Sequence, residues 1–209
     1  MIDYLRDPDA IYAQSFATIA AEADLTAVPL ALRDAAIRMI HACGMIDLAT
    51  DIDGDPLLPD AVRSALRAGE PVLCDCEMVR AGIIGRYLPL DNALLLTLND
   101  AEVPALAQRL GTTRSAAAVE LWRDRLEGAV VVIGNAPTAL FHLLELLDAG
   151  APRPAAIIAT PVGFVGAAES KVALAANAHS VPYLIVHGRR GGSAIASAAF
   201  NAIAKGLTE

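Results

Sequence analysis

The sequence predicts an α/β protein: a three-layer α/β/α, Rossmann-like arrangement around a mainly parallel sheet of about five strands. Three observations carry that expectation. From Val72 onward, short β-rich runs alternate with helical stretches, the pattern of parallel βαβ units whose sheet is covered on both faces. The run Val130-Val131-Val132-Ile133 is apolar throughout, as a strand buried on both sides is. Of the 209 residues, 55% are hydrophobic and 19% charged, which excludes disorder and supplies apolar surface for a full core at this length. No repeat or Pro/Ser-rich linker divides the chain. We therefore read residues 1–209 as one domain, helical over 1–70 and βα-alternating over 71–209.

The elements follow in order. Asp7-Pro8 starts a helix, with Asp able to cap and Pro tolerated in the first turn, and Ile11, Tyr12, Phe16, Ile19 and Ala23 recur at helical spacing. A second helix runs from about Pro29 to Cys43, stopped by Gly44, and a short third from about Pro59 to Ala68, stopped by Gly69. Strands are expected at Val72–Cys74, Leu94–Leu98, Val130–Ile133, Ala156–Ile158 and Tyr183–Val186. Helices are expected at Glu77–Ala81, Thr113–Leu126, Thr138–Asp148, Ala167–Ala178 and Ser193–Ala204.

A ligand of such a sheet belongs at the carboxyl ends of the strands. The loops there are glycine-bearing: Gly134-Asn135-Ala136-Pro137-Thr138, the stretch from Thr160 to Lys171, and His187-Gly188-Arg189-Arg190-Gly191-Gly192-Ser193. Glycines between a strand and a helix N-terminus suit an anion. None of these loops matches GxGxxG or a Walker loop, so a nucleotide cofactor has no support.

Composition narrows the function classes. A formal net charge of −8 argues against a nucleic-acid binder, which would carry a basic face. The apolar runs are short, so no membrane span is expected, and Met1 to Ala10 carries three Asp with no basic-then-apolar segment, so no signal peptide is expected and the protein is read as cytoplasmic. Cys43, Cys74 and Cys76 cannot form a disulfide framework and lack zinc-ligand spacing, so reduced thiols and no metal site are expected.

Several segments, in order, carry a family resemblance: Ala10-Ile11-Tyr12-Ala13-Gln14-Ser15-Phe16, Arg38-Met39-Ile40-His41-Ala42-Cys43-Gly44, Thr113-Arg114-Ser115-Ala116-Ala117-Ala118, Gly134 to Leu140, Pro161 to Lys171, and Gly191-Gly192-Ser193. Together they span nearly the whole chain, which resembles the precorrin-8X methylmutases of corrin biosynthesis. The resemblance implies a parallel α/β/α fold, a homodimer, and an isomerase that moves a methyl group from C11 to C12 of the tetrapyrrole precorrin-8X to give hydrogenobyrinate, with no cofactor. Two alternatives stand beside it: the same rearrangement on cobalt-precorrin-8, giving cobyrinate, and a non-catalytic corrinoid carrier. Ala42-Cys43-Gly44 looks more like the metal-free type.

By the same resemblance His41 is the catalytic histidine, and Ser15 and Arg38 are substrate-binding positions. Arg114 joins them from motif position and charge. Arg38 and His41 lie three apart on one helix and so share a face, where a guanidinium can hold a peripheral carboxylate while the imidazole addresses a ring nitrogen. The Arg189-Arg190 pair is a further candidate for the substrate's carboxylates. Lys171 and the other histidines read as solvated, buried or loop residues.

Overall fold

The computed structural model describes residue 2 and residues 4–207. Its sheet has six strands in the order β1-β6-β5-β4-β2-β3, namely β1 (Ile52–Gly54), β2 (Val72–Cys74), β3 (Leu94–Leu95), β4 (Val130–Ile133), β5 (Ala156–Ala159) and β6 (Tyr183–Val186). The five expected strands are all present and parallel. The sixth, β1, was not anticipated: it lies in the part read as helical and pairs antiparallel with β6, Ile52 opposite Val186. Three residues with Asp53 at the centre show no alternation that a sequence pattern can catch.

Successive residues of each parallel strand feed opposite cores. Val130, Val132, Ala156, Ile158, Leu184 and Val186 face one cluster, and Val131, Ile133, Ile157, Ala159 and Ile185 the other. The first face is covered by α2 (Arg33–Cys43), α3 (Leu58–Arg67), α4 (Glu77–Gly82) and α9 (Ser193–Ala204). The second is covered by α6 (Arg114–Glu120), α7 (Pro137–Asp148) and α8 (Ala167–Ala176). Two helices lie outside these layers: α1 (Pro8–Glu22) against α2, and α5 (Val103–Leu110) against α6. The layers are therefore α/β/α, as expected.

Helix ends depart from the expected ones where local chemistry intervenes. The stretch after Pro29 begins as a 3-10 turn, Leu30–Leu32, before α2 proper, and the expected Thr113–Leu126 helix ends at Glu120, with a 3-10 turn at Arg123–Arg125. Helix α5 lies outside the expected elements, although Pro104 in its first turn and Gly111 at its end are start and stop signals. Helix α1 begins as read, Asp7 accepting a bond from the amide of Asp9 ahead of Pro8. No helix is long and apolar enough among the described residues to cross a membrane.

Candidate active site

Helix α2 buries Ala35, Ala36, Met39 and Ile40 and packs along α9, which turns Asp34, Arg38 and His41 away from the sheet. Gly44 ends it in the left-handed region (φ 70°), its amide closing onto Ile40 O at 2.7 Å, so His41 sits in the last turn. Helix α1 lies across the outer face of α2. Its residues Tyr12, Ser15, Phe16 and Ile19 share one helical face.

That face meets His41. Ser15 Oγ is 2.8 Å from His41 Nδ1. The Tyr12 ring lies 5.5 Å from the imidazole, and the Phe16 ring stands edge-on to it at 5.2 Å. The Arg38 guanidinium lies 5.1 Å from the centre of the Phe16 ring and 5.9 Å from that of Tyr12, within the range where a cation is attracted to a ring face. Among the described residues, neither His41 Nε2 nor the Arg38 guanidinium has a hydrogen-bond or ion-pair partner in the protein.

His41 and Ser15 line an open cleft of about 390 Å³, together with Leu5, Ile11, Ile40 and Ile46. Arg38 lines a neighbouring cleft of about 290 Å³ with Phe16, Asp34 and Lys205. Three of the four expected site residues thus meet on one pair of helices. Tyr12 and Phe16 were legible as an apolar stripe, yet nothing in that stripe distinguished rings that box a histidine from rings that fill a core.

Arg114 is placed elsewhere. It opens α6, on the opposite face of the sheet from His41, and its Nη2 donates to Leu98 O at 3.2 Å. It is exposed and lines neither cleft described above.

The carboxyl edge of the sheet corrects other expectations. Strands β2 and β4 flank the point where strand order reverses, and the loop after β4 was read as an anion site. An anion already occupies it. Asp75, buried, accepts the amide hydrogens of Gly134 at 3.0 Å and of Asn135 and Ala136 at 2.9 Å. Burial pushes its carboxyl pKa up, against the pull of those three donors.

Arg190 is likewise engaged, donating to Asp47 Oδ2 at 2.7 Å and to Asp51 through Nε at 3.0 Å and Nη2. Of the Arg189-Arg190 pair, Arg189 alone stays open to a ligand, stacked 5.4 Å from the ring of Phe164, which is 83% exposed. Lys171, read as solvated, is wholly buried.

The remaining histidines hold structural partners. His142 bridges Glu120 at 2.8 Å and Glu145 at 3.2 Å, His179 pairs with Asp148 at 3.2 Å, and His187 pairs with Asp53 at 3.1 Å. The three thiols are unpaired, and burial pushes that of Cys74 up to about 12.

Fold and site together define a Rossmann-like α/β/α protein in which a histidine on α2 meets the outer helix α1 beside an open cleft. Comparison with known proteins makes the class specific. The family model for precorrin-8X methylmutase (CbiC) matches residues 10–206, and the chain belongs to that family. It is 61% identical over 204 residues to a precorrin-8X methylmutase of Pseudomonas aeruginosa, covering 98% of both chains. It is 36% identical over 167 residues to a cobalt-precorrin-8 methylmutase of Priestia megaterium, covering 79% of this chain and 73% of that one. A solved structure of the precorrin-8X methylmutase from Thermus thermophilus superposes with a TM-score of 0.85 at 33% identity, covering 96% of each chain.

Proposed function

We propose that this chain is the isomerase that moves the C11 methyl of precorrin-8X to C12, giving hydrogenobyrinate, with His41 as its proton donor. The observation that carries the reading is the Ser15–His41 pair, set in a chain of this family. In the rearrangement one carbon–carbon bond at C11 breaks, one forms at C12, and the π electrons of the macrocycle shift with no change of oxidation state. The protein's work is to hold the ring and to protonate a ring nitrogen, which draws electron density from the migration terminus. Substrate and product are isomers, so the proton returns to His41 as product forms. A hydroxyl is suited to the partner role because its oxygen can accept from Nδ1–H. With the imidazolium, Nδ1–H donates to Ser15 Oγ and Nε2–H points at the substrate. In the neutral His41 that remains once Nε2 has given its proton to the substrate, Nδ1–H donates to Ser15 Oγ and Nε2 is ready to take a proton back. One contact orients the ring in both states of a proton-transfer cycle.

Arg38 is the group for a peripheral carboxylate of the ring. Its unpaired guanidinium, steadied over Phe16, is one helical turn from His41. We also assign Arg114, at the start of α6 on the other face of the sheet from His41, to a carboxylate.

A homodimer fits these positions. The cleft of about 390 Å³ lies at the small end of the ~300–1,000 Å³ range of ligand sites and is open to solvent. Its rim carries Leu5 and Ile11, both more than 40% exposed, and Tyr12 nearby is 47% exposed. A second copy laid over α1 would cover this apolar surface and complete the enclosure of the macrocycle. Sedimentation across nanomolar to micromolar protein, paired with turnover, tests it: activity should follow the dimer, and full specific activity from a monomer overturns the shared site. Free thiols suit a reducing compartment, and we place the enzyme in the cytoplasm.

The metal-free substrate is favoured over the cobalt form because the 61% relative is named for the former and the 36% relative for the latter. Assay with precorrin-8X and with cobalt-precorrin-8 in parallel decides between them: faster conversion of the cobalt form overturns the assignment, and binding without conversion of either ring makes the chain a carrier.

A further inference from the structure

We propose that Lys171 is a positioning residue for the His41 site, fixing the loop after β6 and, through Arg190, the segment that follows the His41 helix. Lys171 lies on α8, on the opposite face of the sheet from His41. Its side chain is wholly buried, and Nζ donates to the backbone carbonyl of Arg190 at 2.7 Å. The Arg190 guanidinium reaches in turn to Asp47 and Asp51, both in the 3-10 turn Ile46–Asp51 that starts two residues after Gly44, the cap of α2. One lysine therefore connects a helix on one face of the sheet to the end of the catalytic helix on the other, over the carboxyl edge.

Backbone bonds draw the same segments together. His187 N donates to Asp51 O at 2.7 Å, Gly192 N to Thr160 O at 2.7 Å, and Gly163 N to Arg189 O at 3.2 Å. The fit leaves no slack. Gly191 has φ 157°, and a Cβ there would stand 2.2 Å from Thr160 O.

Stability does not explain the lysine. An ammonium taken out of water to hold a single carbonyl is a poor stabilising device, and methionine fills a similar volume without the desolvation cost. Burial draws the Lys171 pKa down to about 8, with the charge of Asp51 opposing, which is the sign of a group held at a cost. Nor does it line either cleft at His41 or Arg38, so its effect passes through Arg190 and the residues that Arg190 holds.

The test is Lys171→Met in the full chain, read three ways. The thermal midpoint should fall by no more than about 4 °C. The amides of His187 and Gly192 should exchange about tenfold faster, since their acceptors lie on the segments that the lysine holds together. With precorrin-8X, kcat should fall about tenfold or more while KM stays within about threefold, as expected when catalytic geometry shifts by a fraction of an ångström. Arg190→Gln keeps the carbonyl but cuts the guanidinium link, so it should lower kcat similarly, and the double variant should be no worse than the more severe single one.

Wild-type exchange and kcat in Lys171→Met, or losses that add in the double variant, overturn the proposal. If Lys171→Met does not fold, Arg190→Gln decides alone, and wild-type kcat there is the overturning result. The activity readout rests on the methylmutase reading, whereas the exchange readout does not. A wild-type protein that fails to isomerise precorrin-8X would refute that reading, with amide exchange still judging Lys171.

Discussion

Ser15 Oγ and His41 Nδ1 lie 2.8 Å apart and join two helices across 26 residues of sequence. With Ile19 in the core and Phe16 packed against it, this contact holds an otherwise exposed helix against α2 and accounts for the serine on its inner face. It also leaves Nε2 as the nitrogen through which His41 can act on a ligand in the adjoining cleft.

Removing the hydroxyl should weaken catalysis without abolishing it. In Ser15→Ala the imidazole keeps Tyr12 and Phe16 as neighbours but loses the bond that sets its orientation. A hydrogen bond of about 1–1.5 kcal/mol corresponds to a turnover about tenfold lower. Steady-state kinetics check this, and unchanged turnover would assign the orienting role to the two rings.

Product binding should weaken as salt rises, despite the net charge of −8, because Arg38, Arg114 and Arg189 are the groups proposed for the ligand's carboxylates. Arg38→Met should bind hydrogenobyrinate about tenfold more weakly, a charge-assisted bond of about 1.5–3 kcal/mol discounted for solvent screening. It should also show a shallower salt dependence. Titration at several ionic strengths measures both, and a flat wild-type affinity would mean that the apolar face of the ring dominates.

Asp75→Asn should destabilise the fold. Both carboxylate oxygens accept backbone N–H groups, so an amide NH2 in either position turns a donor toward a donor. Leaving a buried donor unsatisfied costs about 1–3 kcal/mol, and more beside a lost charge-assisted bond. At this size that lowers the melting midpoint by about 5–10 °C. Calorimetry checks it, and an unchanged midpoint would mean that water replaces the carboxylate.

The buried Lys171 sets a pH dependence with a definite sign. Its folded pKa of about 8 lies below the ordinary lysine value of 10.5, so the unfolded chain binds the proton more tightly. The cost is present in full below pH 8 and is relieved as pH rises toward 10.5. A difference of that size amounts to about 3 kcal/mol. Denaturant titrations of wild type and Lys171→Met from pH 7 to 10 should therefore show wild type gaining on the variant as pH rises. Parallel stability curves would contradict the burial argument.

Long apolar or well-capped elements were legible from sequence. Val130–Ile133 announces a central strand, and Asp7-Pro8 and Gly44 mark helix ends that the structure places there. What escaped was set by tertiary pairing. Strand β1 exists because Ile52 and Gly54 find β6, and no three-residue run can declare that. The Gly134 loop resembled an anion site for a sound reason, since its amides do bind an anion, but the carboxylate comes from Asp75, 59 residues away from Gly134 in sequence. In the candidate site, Ser15, Arg38 and His41 were legible through the family resemblance, whereas the rings around His41 and the burial of Lys171 emerge only when helices from distant parts of the chain pack.

Conversion of precorrin-8X by His41→Ala beside wild type, followed by visible absorbance with hydrogenobyrinate binding measured on the same samples, decides whether His41 is the proton donor. Wild type should convert the substrate, His41→Ala should be slower by about 10²–10⁴, the contribution of a positioned general acid, and product affinity should stay within about tenfold of wild type. A variant that retains more than about a tenth of wild-type turnover would contradict the assignment of His41 as proton donor.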